Sequence, residues 1–252
     1  MYRARALKRY QSLLNDFLGP SSLRRAAGKD INMLETKDLI DLTHTLAAPI
    51  LEDKKYPWEA LPLIKEFILK LGPTLDPEIY EQKADDIWIA KSAKVFDSAY
   101  ISGPCIIGPE TEVRQCAFIR GSALIGSKCV IGNSTELKNV IISDNVQVPH
   151  YNYVGDSILG YKSHLGAGAI TSNVKSDKTL VCVKDGDEVI ETGLKKFAAI
   201  VGDNVEVGCQ SVLNPGTVIG RGCRVYPLSR VRGVIPEKHI FKDKDEIVPI
   251  EE

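Results

Sequence analysis

Arg120 and Lys138 each follow an aliphatic residue, Ile119 and Leu137, and lie eighteen residues apart. His150 follows in Val148-Pro149-His150-Tyr151-Asn152-Tyr153-Val154-Gly155-Asp156, and a second histidine comes at His164. Two like charges about 5 Å apart repel each other, which is best tolerated when an anion or a carboxylate sits between them. The pair therefore reads either as a phosphate-binding pair or as a surface cluster neutralised by Glu136. A histidine beside a carboxylate can serve as a general base near neutral pH, and Glu136 is the carboxylate placed to orient His150. Metal binding is the competing use of the histidines. Only His44, His150, His164 and His239 are present, and no short spacing puts two of them on one strand or turn, so no metal site is expected.

What positions these residues is a six-residue period. Aliphatic residues recur at Ile89, Val95, Ile101, Ile107, Val113, Ile119, Ile125, Ile131 and Leu137, and again at Val201, Val207, Leu213, Ile219, Val225 and Val231. Small side chains such as Ala93, Ala99, Cys105, Thr111, Ala117, Ala123, Cys129 and Thr135 follow four positions later. Neither a helix nor a hairpin has this period. Three hexapeptides make one triangular coil, and coils stack by parallel pairing ~4.8 Å apart into a parallel β-helix. Eighteen residues is one coil, so Arg120 and Lys138 should stack.

The register slips between the two runs. It passes through Ile142, Val148, Val154, Leu159 and Leu165, and then meets Leu180-Val181-Cys182-Val183-Lys184-Asp185-Gly186-Asp187-Glu188-Val189-Ile190, which reads as a hairpin with an Asp-Gly turn. An insertion over about 174–196 is expected to leave the prism there. Such loops gather on one face of a solenoid and often build its binding site.

Residues 1–85 carry no such period. Amphipathic stretches Tyr2–Leu18, Thr36–Leu51 and Trp58–Leu71 point to helices, with Pro57 at a start and Gly72-Pro73 at an end. This helical appendage should pack on the prism or on another subunit through residues such as Leu7, Leu13, Leu14 and Leu18. The basic cluster Arg3, Arg5, Lys8 and Arg9 reads as a solvated helix face. Residues 86–252 form the β-helix unit.

A formal net charge of −1 over 252 residues gives no electrostatic reason to expect nucleic acid or an anionic membrane as partner. With no apolar span and no signal-peptide pattern at the start, a cytoplasmic protein is expected. Of six cysteines, Cys105, Cys129 and Cys223 occupy small-residue slots and read as buried hydrophobes. Cys116, Cys182 and Cys209 have no basic neighbour in sequence to activate a thiolate.

The run His150-Tyr151-Asn152-Tyr153-Val154-Gly155-Asp156, followed by Gly166-Ala167-Gly168-Ala169-Ile170-Thr171-Ser172-Asn173, Gly193-Leu194-Lys195-Lys196-Phe197 and Val201-Gly202-Asp203-Asn204-Val205-Glu206-Val207-Gly208, resembles the acetyltransferase domain of bacterial bifunctional N-acetylglucosamine-1-phosphate uridyltransferases. It is closer still to archaeal-type sugar-1-phosphate nucleotidylyltransferases with an amino-sugar acetyltransferase domain. The resemblance covers roughly residues 86 to 235 and implies a left-handed β-helix, a homotrimer with active sites between subunits, and acetyl-CoA as co-substrate. It implies N-acetylation of an amino-sugar 1-phosphate such as glucosamine 1-phosphate, a step toward UDP-N-acetylglucosamine, with His150 as base and Glu136 beside it. By the same resemblance Arg120 and Lys138 hold the phosphate, Tyr153, Asn173 and Lys196 contact substrate, and Ala167 and Cys209 meet acetyl-CoA. Cys209 replaces a serine, and His164 stands where bacterial members have a substrate-contacting asparagine. No Gly-rich phosphate loop occurs in the appendage, so nucleotidyltransferase activity is not expected and would fall to a separate polypeptide. The alternative reading is a non-catalytic trimeric scaffold or regulatory partner of such a nucleotidyltransferase.

Overall fold

A computed structural model describes residues 35–244 and 246–251. The segment Tyr2–Leu18, its apolar positions and the basic cluster at its start lie outside the described residues.

From Ile87 onward the chain winds as a triangular prism of short parallel strands. Face 1 stacks Ile87–Ile89, Cys105–Ile107, Ala123–Ile125, Val140–Ile142, Ser157–Leu159, Ala199–Val201, Thr217–Ile219 and Val234–Ile235. Face 2 stacks Lys94–Val95, Glu112–Val113, Val130–Asn133, Gln147–His150, His164–Leu165, Glu206–Val207, Arg224–Val225 and His239–Asp243. Face 3 stacks Tyr100–Ile101, Phe118–Ile119, Glu136–Lys138, Tyr153–Gly155, Ile170–Thr171, Val212–Leu213 and Arg230–Val231. The six-residue aliphatics fill the interior, with Ile107, Val113, Ile119, Ile125, Ile131 and Leu137 all fully buried.

The small positions are as informative as the large ones. Thr111 Oγ1 donates to the Gly126 carbonyl at 2.8 Å and Thr135 Oγ1 to the Val148 carbonyl at 3.0 Å, so buried hydroxyls are satisfied by the next coil. Cys105 and Cys129 are fully enclosed, and burial pushes both thiols up to about 12; Cys223 is pushed up to about 11 for the same reason. They are small core residues. At many corners the residue three places after an inward aliphatic adopts positive φ: Glu110 at 58°, Cys116 at 58°, Lys128 at 57°, Tyr151 at 51°, Gln210 at 57°. That conformation costs a non-glycine residue ~1–2 kcal/mol, which the ladder on either side must offset.

The register slips have a local cause. Glu136–Ile142 and Tyr153–Leu159 each run unbroken from face 3 to face 1, with Asn139 and Asp156 at positive φ on the bend. A full corner is thereby shortened by one residue. The insertion leaves after Thr171 and returns at Ala199, and it contains a hairpin of Cys182–Asp185 and Glu188–Glu191 joined through Gly186-Asp187.

The stretches read as two long helices are broken ones. Thr36–Leu39 and Ala48–Leu51 are single helical turns flanking a 3₁₀ turn at Leu42–His44, and Pro57–Leu63 is 3₁₀ before the α-helix Ile64–Leu71. Pro49, Pro57 and Pro62 withhold amide donors, and the packing surface is a flat sheet rather than another helix. Tyr80–Ala84 is already strand and pairs antiparallel with Ile87–Ala90. A second antiparallel pair, His239–Asp243 with Glu246–Pro249, lies at the other end.

These pieces pack on the chain's own prism. Leu39, Ile50, Trp58, Leu61, Ile64 and Ile68 form one buried cluster with the outward residues of face 1, namely Trp88, Ile106, Leu124, Ile141, Ile158, Ile200 and Val218. Val181, Val183 and Phe197 of the insertion join it, and the Trp58 and Phe197 rings lie 5.6 Å apart. Hydrogen bonds fasten the edge: Asp203 N donates to Leu39 O at 3.0 Å, Asp144 N to His44 O at 2.8 Å, and Asp41 N to the side-chain Oδ2 of Asp203 at 2.8 Å. Face 1 is therefore covered and largely apolar on both sides, as parallel sheets usually are.

Leu124→Ala, which opens a void between face 1 and the helical segment, should cost about 2–5 kcal/mol. Ile170→Ala on exposed face 3 should cost under about 0.5 kcal/mol. Urea unfolding of the two variants checks this; equal midpoints would show that the segment is not docked on face 1.

Candidate active site

The register places Arg120 and Lys138 one coil apart, each following a paired residue, Ile119 and Leu137. Glu136 takes the side of Arg120: Nη1 donates to Oε1 at 2.7 Å. Lys138 has no ion-pair or hydrogen-bond partner among the described residues. Of the two readings of this cluster, Glu136 neutralises one cation and leaves the other free. Next along the same column from Lys138 comes Gly155, its register partner. A Cβ on Gly155 would lie 2.4 Å from Tyr153 Oη, so the phenol lies across the space that only glycine leaves open. This is the physical content of the Tyr-x-Gly spacing.

Tyr153 Oη accepts from Asn173 Nδ2 at 3.3 Å, and Asn173 Nδ2 also donates to Asp156 Oδ2, whose other oxygen accepts from Asn139 Nδ2 at 2.9 Å. Asp156 is 5 % exposed. Burial, then the charges of Asp156 and Glu136, hold the Tyr153 phenol above the usual tyrosine range, and Arg120 pulls in the opposite sense. Lys196 is exposed and immediately precedes Phe197, whose N–H donates to the Asn173 carbonyl at 3.1 Å. Arg120, Glu136, Lys138, Tyr153 and Asn173 thus share face 3 and its bend, with Lys196 alongside.

His150 sits at the edge between faces 2 and 3. Its ring is exposed and has no hydrogen-bond or ion-pair partner among the described residues, so Glu136 does not hold it. Its backbone is fixed. The N–H donates to Asn152 Oδ1 at 3.0 Å and the carbonyl accepts from Gly168 N at 3.0 Å. Asn152, 2 % exposed, also donates to the carbonyls of Gly166 at 2.8 Å and Ala169 at 3.1 Å. Every polar atom of that amide except one lone pair is used to clamp the His150 turn onto the Ala167 turn.

Ala167 stands in the next coil at the same edge, and Gln210 N donates to its carbonyl at 2.8 Å, which brings the Cys209 turn alongside. His150, Ala167 and Cys209 occupy successive coils of one edge. His164 stands apart on face 2, between Gln147 and Glu206 in register, with Nδ1 2.7 Å from Glu206 Oε2. A proton on Nδ1 there leaves Nε2 as the free ring nitrogen. Asn152, Asp156 and Glu206 carry no role in the sequence reading. The signal for the first two was present, since Asn and Asp are the side chains most often found at or beside left-handed turns, where Asp156 and Asn152 stand. Glu206 shows only through the one-coil count, which the insertion interrupts. Among the described residues no three His, Cys, Asp or Glu side chains converge as a metal site would need.

Fold and repeat define the class as a hexapeptide-repeat β-helix. Residues 101–190 match the GMPPB C-terminal domain family and residues 198–233 the bacterial transferase hexapeptide family of six repeats. Among individual relatives, the bifunctional protein GlmU of Methanococcus aeolicus is 34 % identical over 112 residues, 44 % of this chain and 27 % of that protein. The bifunctional sugar-1-phosphate nucleotidylyltransferase/acetyltransferase of Sulfurisphaera tokodaii is 31 % identical over 106 residues, 42 % of this chain and 26 % of that one. The chain thus spans about a quarter of the length of these curated relatives. The putative uncharacterized acetyltransferase YaiX of Escherichia coli is 29 % identical over 161 residues, 64 % of this chain and 70 % of that protein. A hexapeptide transferase family protein from Anaplasma phagocytophilum has a solved structure with a TM-score of 0.41 at 15 % identity, covering 65 % of this chain and 78 % of that one. The acetyltransferase domain of PglB from Neisseria gonorrhoeae gives 0.34 at 18 %, covering 74 % and 65 %. No helix among the described residues is long and apolar enough to cross a membrane.

Because the Glu136 charge raises the Tyr153 phenol, Glu136→Gln should move its titration toward lower pH. Carbon-13 tyrosine labelling with Tyr153→Phe as the assignment control reads this out. A midpoint that stays put or rises in Glu136→Gln would contradict the proximity of the two side chains.

Proposed function

We propose that the chain is an acetyl-CoA-dependent N-acetyltransferase acting on an amino-sugar 1-phosphate, glucosamine 1-phosphate being the reference substrate. The observation that carries this reading is the edge itself: His150, Ala167 and Cys209 in three successive coils, with Tyr153 opening face 3 three residues after His150 and the cations Lys138 and Arg120 on the two preceding coils of that face. An extended thioester cofactor running along the prism edge past Cys209 and Ala167 delivers its acyl carbon to the His150 coil. An amine whose phosphate is held on face 3 reaches the same coil.

The chemistry is direct acyl transfer. The sugar amine attacks the thioester carbonyl, His150 accepts the ammonium proton, the C–N bond forms and the C–S bond breaks. The imidazolium then returns the proton to the departing thiolate, so the base is regenerated. Lys138 is the free cation for the phosphate, and Arg120 contributes a guanidinium whose orientation Glu136 sets. Tyr153, Asn173 and Lys196 line the sugar side. Asn152 acts on the backbone, fixing the spacing between base and cofactor strip. His164, held by Glu206 on face 2, serves the site of an adjacent subunit in a homotrimer with sites between protomers.

Thiol release from acetyl-CoA with glucosamine 1-phosphate is the test. His150→Ala should lower kcat by about two to four orders of magnitude with circular dichroism unchanged. Lys138→Ala should raise the KM for the phosphorylated sugar and leave that for acetyl-CoA in place. An unaltered rate in His150→Ala would sink the assignment of the base, and no turnover with any amino-sugar 1-phosphate, free or nucleotide-linked, would sink the reading.

A further inference from the structure

The outward column of face 3 that contains Glu136 and Tyr153 begins, at its N-terminal end, with Tyr100 and Phe118 in register. Both are exposed, Tyr100 at 65 % and Phe118 at 40 %, whereas Trp88, the aromatic of face 1, is buried. Their rings meet edge to face with centroids 5.7 Å apart. The Arg120 guanidinium carbon lies 5.9 Å from the Phe118 ring centroid, at the cation–π limit. The aromatic strip is therefore continuous with the cation pair, and the two belong to one surface.

The order of chemistries along the prism axis is the informative part. Taking the His150 coil as origin, Lys138 stands one coil toward the N-terminus, Arg120 and Phe118 two coils, and Tyr100 three coils. At ~4.8 Å per coil these lie roughly 5, 10 and 14 Å from the base. A sugar amine, two phosphates and a nucleobase follow one another in that order and on that scale in a nucleoside diphosphate sugar. A sugar 1-phosphate fills only the first two places. Glu136 opposes any anion here, but its carboxylate is turned to Arg120 Nη1, and Lys138 is left to meet the phosphates.

We infer that the amino sugar is carried as a nucleoside diphosphate, its base stacked on Phe118 and Tyr100 and its diphosphate on Arg120 and Lys138. This rests on the reading of the site as an amino-sugar N-acyltransferase and names the class of acceptor. Stacking on an aromatic side chain tolerates every base, since each has a π face, so the platform selects for the presence of a base more than for its identity.

Two measurements separate the failure of this inference from the failure of the reading beneath it. The first is calorimetric binding of UDP, dTDP and GDP to the full chain, with inorganic pyrophosphate as reference. At least one nucleotide should bind roughly tenfold to a hundredfold tighter than pyrophosphate, and Phe118→Ala together with Tyr100→Ala should erase the difference. The second is thiol release from acetyl-CoA with UDP-glucosamine against glucosamine 1-phosphate, where the ratio of kcat/KM should favour the nucleotide sugar and fall toward one in the double variant. Nucleotide binding that depends on the aromatic pair without any turnover supports the platform and removes the acyltransferase reading. Nucleotides bound no better than pyrophosphate, or turnover indifferent to the nucleoside, overturns the inference. So does a double variant that changes only the sedimentation of the protein, which would assign the strip to a contact between copies of the chain.

Discussion

Everything in this molecule depends on the backbone ladder between one coil and the next. Once Ile119 is paired with Leu137 and Leu137 with Val154, each outward residue is committed to a neighbour one coil away, whatever its charge or size. Face 3 shows the consequences in sequence: an ion pair where Arg120 and Glu136 meet, a free amine at Lys138, and a glycine at 155 because Tyr153 needs the space. Left-handed corners such as Tyr151 and Gln210 are tolerated on the same account, since the hydrogen bonds on both sides of each corner leave the chain no other route.

The second organising fact is the double burial of face 1. Its strands point Cys105, Ile107, Ala123 and Ile125 inward and Ile106 and Leu124 outward, and both sets are fully or almost fully enclosed. One layer of helical turns and the root of the insertion supply the outer cover. The bends at Asn139 and Asp156, which lead from face 3 into face 1, are thereby pinned from the side away from solvent. Asn173 and Ala198, which bond to Asp156, come from the two ends of the same insertion.

The prism was legible in the residues because a buried aliphatic every sixth position leaves no other solution. Its outward columns followed by counting eighteen, and the stacking of Arg120 with Lys138 came from that count alone. Side-chain direction did not follow. Whether Glu136 turned to Arg120, Lys138 or His150 is decided by rotamers over about one coil spacing, which a linear sequence does not encode. The helical stretches are shorter than their apolar pattern suggests because those positions serve a flat sheet, and the prolines at 49 and 62 interrupt them. The strand Tyr80–Ala84 is mostly exposed and polar, so it carries no alternation to notice. His164 and Glu206 are joined across a 42-residue separation, two coils made adjacent by an excursion. Periodicity predicts neighbours only while it is unbroken.

A bare triangular prism offers three interchangeable sides, and a copy approaching it can settle in three equivalent ways. Docking the helical turns of residues 36–71 on face 1 removes that degeneracy. What is left is a body with one closed back and a single ridge, between faces 2 and 3, flanked by open surface on both sides. The choice of which edge stays open is thus made by a segment whose buried side chains all lie on the opposite side.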